Sequence, residues 1–432
     1  MKHRARTSRD LRLALLTLAA VAPLSLGACS GDPASSLAGS GGDGATHAGA
    51  EGGQPGSSRD AGCGAACVGP EGGPAGPTGG ESGVPGGSDA DASGGGGGGA
   101  ALPKHALIGY WHDFANPSGK AFPIRDVSRD WDVIVVAFAM NAQPSGSMAF
   151  QLDPALDLAE FKADVAAKRA AGKKVVLSLG GQDGTVSLAT ASDVDNFVTS
   201  LSKIIETYGF DGLDIDLETG AGITQGAPVQ QNLVTGIKRI KAATRGAAFY
   251  LSMAPEHPYV QGAVVANAGI WGSYLPVIEG LRDDLTVLHV QLYNDGDLPT
   301  PWGTYHPTSE DLLVGAVDML VGGFQPASGP RFEGLRADQV AFGIPSGNAA
   351  ANPGNLVSVA TIEAAFTCIT RGAMCATHTP SRTYPTFRGV MTWSINWDAH
   401  DGPSSFSQPL AAIAIVGLFL YSKLLFSSPS TK

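Results

Sequence analysis

Residues 210 to 218 read Phe-Asp-Gly-Leu-Asp-Ile-Asp-Leu-Glu. In an extended chain alternate side chains share a face, so Asp214, Asp216 and Glu218 point one way while Leu213, Ile215 and Leu217 point the other. Three carboxyls crowded on one face cannot all ionise, and at least one keeps its proton at neutral pH. A retained proton beside carboxylates is what a general acid needs. Asp211 has the opposite parity and reads as structural. A divalent-metal site or a solvated acidic edge strand would use the same residue types. However, no His flanks the run, and Glu218 closes it beside a Gly-containing loop at 219–222. Acid catalysis without metal or cofactor is the stronger reading.

Such a row needs a rigid strand with apolar cover on its other face. Eight short apolar, β-branched runs follow residue 104: 106–109, 133–139, 174–179, 212–217, 250–254, 285–292, 340–344 and 390–395. Stretches with helical spacing lie between several of them, at 156–171, 194–208, 232–243 and 362–370, so the pattern is β-α-β-α. Eight strands with crossover helices predict an α/β fold of the (β/α)8 TIM-barrel type. An open doubly wound sheet is the competitor, but no G-x-G-x-x-G follows the first run, which continues Gly109-Tyr110-Trp111-His112. Barrel chemistry gathers at the carboxyl ends of the strands, where the polar residues of this chain fall.

The run D-G-L-D-I-D-L-E resembles the D-x-x-D-x-D-x-E signature of family 18 glycoside hydrolases, the chitinase family. Other landmarks occur in that family's order. Ser178-Leu179-Gly180-Gly181 is similar to its third-strand S-x-G-G, and Gln291-Leu292-Tyr293-Asn294 to its sixth-strand Q-x-Y-N. Trp393 matches the eighth-strand tryptophan, and Met253-Ala254-Pro255-Glu256 resembles the bacterial single-domain members. The likeness covers about residues 105 to 415. Many members carry M-x-Y-D where this chain has Gln291 and Asn294.

The resemblance implies retaining hydrolysis of β-1,4 bonds in chitin and chitooligosaccharides, with the substrate's own acetamido oxygen as nucleophile through an oxazolinium ion. Glu218 then matches the general acid, Asp216 the group that binds the acetamido N–H, and Asp214 the partner sharing a proton with Asp216. Tyr293 matches the hydroxyl that holds the acetamido carbonyl. Tyr110, Ser178, Gln291, Asn294, Met253 and Trp393 are expected around the substrate, with Tyr110 and Ser178 matching groups around the inner Asp and Trp393 the floor beneath the cleaved sugar. Gly180, Gly181 and Asp211 are expected to be structural. An endo-β-N-acetylglucosaminidase acting on N-glycans, or a non-catalytic chitin-oligosaccharide-binding protein, would share this frame. Trp111, Trp302 and Trp397 could extend the cleft or simply pack.

The chain has 432 residues, 59 of them Gly, and a net charge of −11. No basic stripe lies beyond the first dozen residues, so nucleic acid is not an expected partner. Residues 1–28 have the charged-then-apolar layout of a signal peptide. They end in Leu26-Gly27-Ala28 before Cys29, which resembles a bacterial lipobox and implies lipidation of Cys29. The expected result is an exported monomer, lipid-anchored in the cell envelope at the outer membrane or cell surface, or released from it. Residues 29–103 are a Gly/Ser/Pro-rich segment too poor in apolar residues to order itself, a disordered linker with a reach on the order of 45 Å. It contains no aromatic-rich chitin-binding segment. The catalytic domain is expected over 104–426. Cys63 with Cys67, and Cys368 with Cys375, are two local pairs suited to disulfides in an oxidising compartment. The apolar tail 410–426 reads as the last barrel helix or as a second membrane contact.

Overall fold

All eight of the β-branched runs form strands, because each buries apolar side chains on both faces, as the strands of a parallel barrel must. The structure, a computed structural model, describes residues 101–218, 221–402 and 404–413. The signal segment, Cys29, Cys63, Cys67, the linker to residue 100 and the tail from 414 lie outside the described residues. The elements run β1 (Ala106–His112), β2 (Val133–Asn141), β3 (Met148–Ala149), α1 (Leu158–Ala170), β4 (Lys174–Gly181), α2 (Ala191–Tyr208), β5 (Gly212–Leu217), α3 (Pro228–Thr244) and β6 (Tyr250–Met253). They continue with α4 (Leu275–Gly280), β7 (Val287–Gln291), β8 (Leu298–Thr300), β9 (Gly303–Tyr305), α5 (Glu310–Gly322), β10 (Val340–Pro345), α6 (Val359–Arg371), β11 (Gly389–Trp393) and α7 (Ile395–Asp401).

The strands β1, β11, β10, β7, β6, β5, β4 and β2 pair in that order, and a β1–β2 ladder closes the ring. Every barrel ladder is parallel. This is the (β/α)8 TIM barrel expected from the sequence. Two apolar layers follow from strand parity. Ile108, Val135, Val176 and Tyr250 fill the barrel interior. Leu213, Ile215, Leu217, Leu251 and Met253 belong to the larger cluster shared with the helices, where removing one Leu side chain costs about 2–5 kcal/mol.

Helix ends are set by local chemistry. Thr190 and Asp193 form a reciprocal capping box at the start of α2, and Gly209 stops it in the left-handed conformation. Asp157 and Ser358 cap α1 and α6. Residues 407–413 are helical, and Leu410 and Ile413 pack on the core, so the described beginning of the apolar tail is part of the barrel. Among the described residues, no helix is long and apolar enough to cross a membrane. Cys368 and Cys375 are joined by a disulfide at the end of α6.

Candidate active site

The acidic strand β5 is anchored at its amino end by Asp211, whose carboxylate accepts from Arg169 Nε at 3.0 Å and from the Val175 N–H at 2.9 Å. This ties β5 to α1 and β4.

Deeper in the barrel, Asp214 is wholly buried and accepts hydroxyls from three strands. Its Oδ2 takes the Tyr110 hydroxyl at 2.5 Å and the Ser178 hydroxyl at 2.7 Å, and its Oδ1 takes Ser252 at 2.5 Å. His289 Nε2 stands 3.4 Å from Oδ1. Burial pushes the His289 pKa down, which favours the neutral ring. Ser178, which the likeness puts around the inner Asp, is completely buried against Asp214. Its role in this structure is to hold that carboxyl.

Asp216 and Glu218 occupy the carboxyl end of β5 and hydrogen-bond each other. Burial, then the charges of Glu218 and Asp214, hold Asp216 well above the usual carboxylate range. Glu218 is also raised, chiefly by burial, although hydrogen bonds from Gln291 and Asp216 oppose that rise. The pair therefore retains a proton. The expected proton-sharing partner of Asp216 was Asp214, but here Asp216 turns outward to Glu218, while Asp214 is occupied by three hydroxyls. Gln291 Nε2 lies 2.9 Å from Asp216 Oδ1, 3.1 Å from Glu218 Oε1 and 2.9 Å from the Ala254 carbonyl. It thus bridges both acids from β7. Glu256 is pushed up to about 7 by burial and then by Glu218 and Asp295, and Asp295 to about 6 by burial and Glu218. The Tyr293 hydroxyl is held well above the usual phenol range by burial and by Asp216, so it remains a donor.

Asp216, Glu218, Gln291 and Tyr293 face a cleft of about 680 Å³ that Trp393 and Tyr110 also line, with no Lys or Arg among its described lining residues. Its floor is a column of rings. Trp393 stacks on Phe138 (5.9 Å, 12°) and on His112 (5.3 Å, 26°), and His112 stacks on Phe114 (4.7 Å, 25°). Trp397 also lines the cleft although it is almost fully buried. Gly180 reaches φ +105°, and a Cβ there would lie 2.2 Å from the Asp216 carbonyl oxygen. A side chain at 180 would therefore force β4 away from the acids. On Gly181 (φ +76°), a Cβ would strike the Phe138 ring at 2.7 Å. Asn294 lines the cleft at φ 68°, and its side chain accepts from the Asn352 N–H at 2.8 Å, so its amide is engaged in loop structure.

Strand parity removes Met253 from the site. It alternates with Ser252, which faces the barrel axis, and so Met253 is fully buried in the helix-facing layer. Trp111 likewise packs outward, stacked on Phe161. Trp302 lies on the β8–β9 hairpin, stacked on His378 at 3.9 Å and outside the cleft lining. Sequence reasoning missed Ser252, His289 and Phe138. The available signal for His289 was parity, since it lies two residues before Gln291 on one strand face.

A model of "Glycosyl hydrolases family 18" matches residues 106–309. The chain is 44% identical to Exochitinase 1 of Streptomyces olivaceoviridis over 72% of its own length and 56% of that protein's. It is 41% identical to a probable class II chitinase of Arthroderma benhamiae, over 64% of this chain and 90% of that one. The solved structure of a family 18 chitinase from Chromobacterium violaceum superposes with a TM-score of 0.71 at 56% identity, covering 73% of this chain and 85% of that one. The chain spans 56–59% of the length of three bacterial relatives of the Streptomyces, Paenibacillus and Niallia lineages.

Proposed function

The chain belongs to glycosyl hydrolase family 18, and on that premise we propose that it hydrolyses β-1,4 bonds of chitin and chitooligosaccharides with retention at the anomeric carbon. The observation that carries this reading is the proton-bearing Asp216–Glu218 pair, bridged by Gln291 at the mouth of a cleft floored by Trp393. A flat indole suits the apolar face of a pyranose, and a cleft with no Lys or Arg among its described lining residues suits a neutral sugar.

In the free protein the proton is shared within the pair, with Asp216 the more buried member. A sugar whose acetamido N–H is to be accepted by Asp216 requires that carboxyl to be ionised. Binding therefore drives the shared proton across to Glu218, which arms Glu218 as the acid. Glu218 then gives that proton to the glycosidic oxygen as the C–O bond breaks. The substrate's acetamido oxygen, held by the Tyr293 hydroxyl, closes on the anomeric carbon. Water opens the oxazolinium ion and returns a proton to Glu218. Positioning of this kind supplies up to several kcal/mol of barrier reduction.

Incubation with N-acetylglucosamine hexamer, followed by proton NMR of the nascent products, is the test. β-Anomers are expected first, with no cleavage of a glucose hexamer. Cleavage of both hexamers, or release of glycans from a high-mannose glycoprotein in preference to either, would overturn the assignment.

The reading extends to the protein's location. We infer export and acylation at Cys29 from the lipobox-like Leu26-Gly27-Ala28-Cys29. Labelled palmitate is expected in the intact protein and not in the Cys29→Ala variant, which should move to the soluble fraction. Equal labelling of both would sink this inference.

A further inference from the structure

The carbonyl and N–H groups of alternate residues in a parallel strand face the same neighbour. In β5 the odd residues face β6, since Asp211 O accepts from Tyr250 N (3.1 Å) and Ile215 O from Ala254 N (2.9 Å). Continued by two residues, this ladder would pair the Leu217 N–H with the Ala254 carbonyl and the Leu217 carbonyl with the Glu256 N–H. Neither bond forms that way. The Leu217 N–H donates to the Tyr274 hydroxyl at 2.9 Å, and the same hydroxyl donates to the Leu217 carbonyl at 2.9 Å. The Ala254 carbonyl is occupied instead by Gln291 Nε2.

One phenol thus stands in for a strand at the residue immediately before Glu218, and it leaves the Ala254 carbonyl free for the amide that bridges Asp216 and Glu218. Tyr274 is wholly buried just before α4, with its ring edge-on to Tyr259 at 5.9 Å. We propose that Tyr274 is a positioning residue for the general acid: its hydroxyl fixes the β5 backbone at Leu217 and thereby sets where the Glu218 carboxyl meets the glycosidic oxygen. This rests on the proposed function, in which Glu218 is the proton donor.

Tyr274→Phe keeps the ring and deletes both hydrogen bonds. A misplaced acid matters when the leaving group needs a proton and matters little when it does not. The variant should therefore lose about 10–100-fold in kcat on N-acetylglucosamine hexamer with KM nearly unchanged, the range expected for a poorly placed catalytic group. On 2,4-dinitrophenyl N,N′-diacetylchitobioside, whose leaving group departs without protonation, the loss should be under about threefold by the same argument. Equal losses on the two substrates, or no loss on the hexamer, would overturn the positioning role. A wild-type protein inactive on both would instead overturn the function on which it rests. If Tyr274→Phe does not fold, 3,5-difluorotyrosine at position 274 retains ring and hydroxyl while weakening acceptance from Leu217. The loss should then be smaller but still confined to the hexamer, and an equal effect on both substrates again refutes the proposal.

Discussion

The two ends of strand β5 carry the same residue type in opposite circumstances. At the amino end Asp211 meets a cation, Arg169, at 3.0 Å and a backbone N–H donor. At the carboxyl end Asp216 and Glu218 meet each other and a neutral amide, and no Lys or Arg is among the described residues lining their cleft. A carboxylate engaged by a cation and a backbone donor serves the fold. Carboxyls buried without a cation cannot both ionise, and the proton they retain is available for chemistry. What separates the anchoring Asp211 from the proton-bearing Asp216 and Glu218 is the partner supplied by the surrounding structure.

The largest expected effect is at the carboxyl end, where the proposed general acid stands. Glu218→Gln removes the transferable proton while keeping shape, and should lower kcat on the hexamer by about 10³-fold, within the usual range for a general acid. A variant within tenfold of wild type would erase the distinction between the ends. The second effect is on pH. Because Asp216 and Glu218 are raised, their proton persists above the usual carboxylate range and is lost as pH rises, so kcat/KM should fall on the alkaline side.

The same sign governs stability at Glu256, raised from 4.5 to about 7 by burial. The folded chain holds this proton more tightly than the unfolded one. The contribution is therefore complete below about pH 4.5 and declines as pH rises through about 7. The melting temperature should drop across that window, and Glu256→Gln should flatten the slope. An unchanged slope would show that Glu256 is not the group responsible.

At the anchoring end, Asp211→Ala leaves the Val175 N–H without its acceptor and should cost about 1–3 kcal/mol of stability in denaturant unfolding. Its kcat should stay within about threefold, because truncation away from the reacting groups removes no transition-state contact. A loss of activity matching that of Glu218→Gln would break the comparison. Smallest of all, Met253→Leu should leave KM unchanged and shift stability by less than about 1.5 kcal/mol, as for a volume-conserving core exchange. A raised KM would return Met253 to the substrate.

Much of this was legible in the sequence because it is local. The eight strand runs and the parity of Asp214, Asp216 and Glu218 follow from alternation along an extended chain. The pairing of Cys368 with Cys375 depends on neighbours a few residues apart. Helix α5 offers no such signal. Residues 311–321 are buried all round, so no polar stripe repeats every three or four positions. Met253 was drawn to the substrate by motif likeness, although the alternation that placed the acids would have turned it toward the helices.

Sequence by itself determined that a row of acids shares one strand face, that apolar side chains cover the other, and that eight such strands alternate with helices. Tertiary structure alone decided which acid found Arg169, which hydroxyls surround Asp214, that Asp216 pairs with Glu218, and that Tyr274 takes the place of β6 beside Leu217. The reason is physical. Periodicity along a chain fixes the direction in which a side chain leaves the backbone. Its protonation state and its hydrogen-bond partners depend on groups tens of residues away that only closure of the barrel brings within 3 Å.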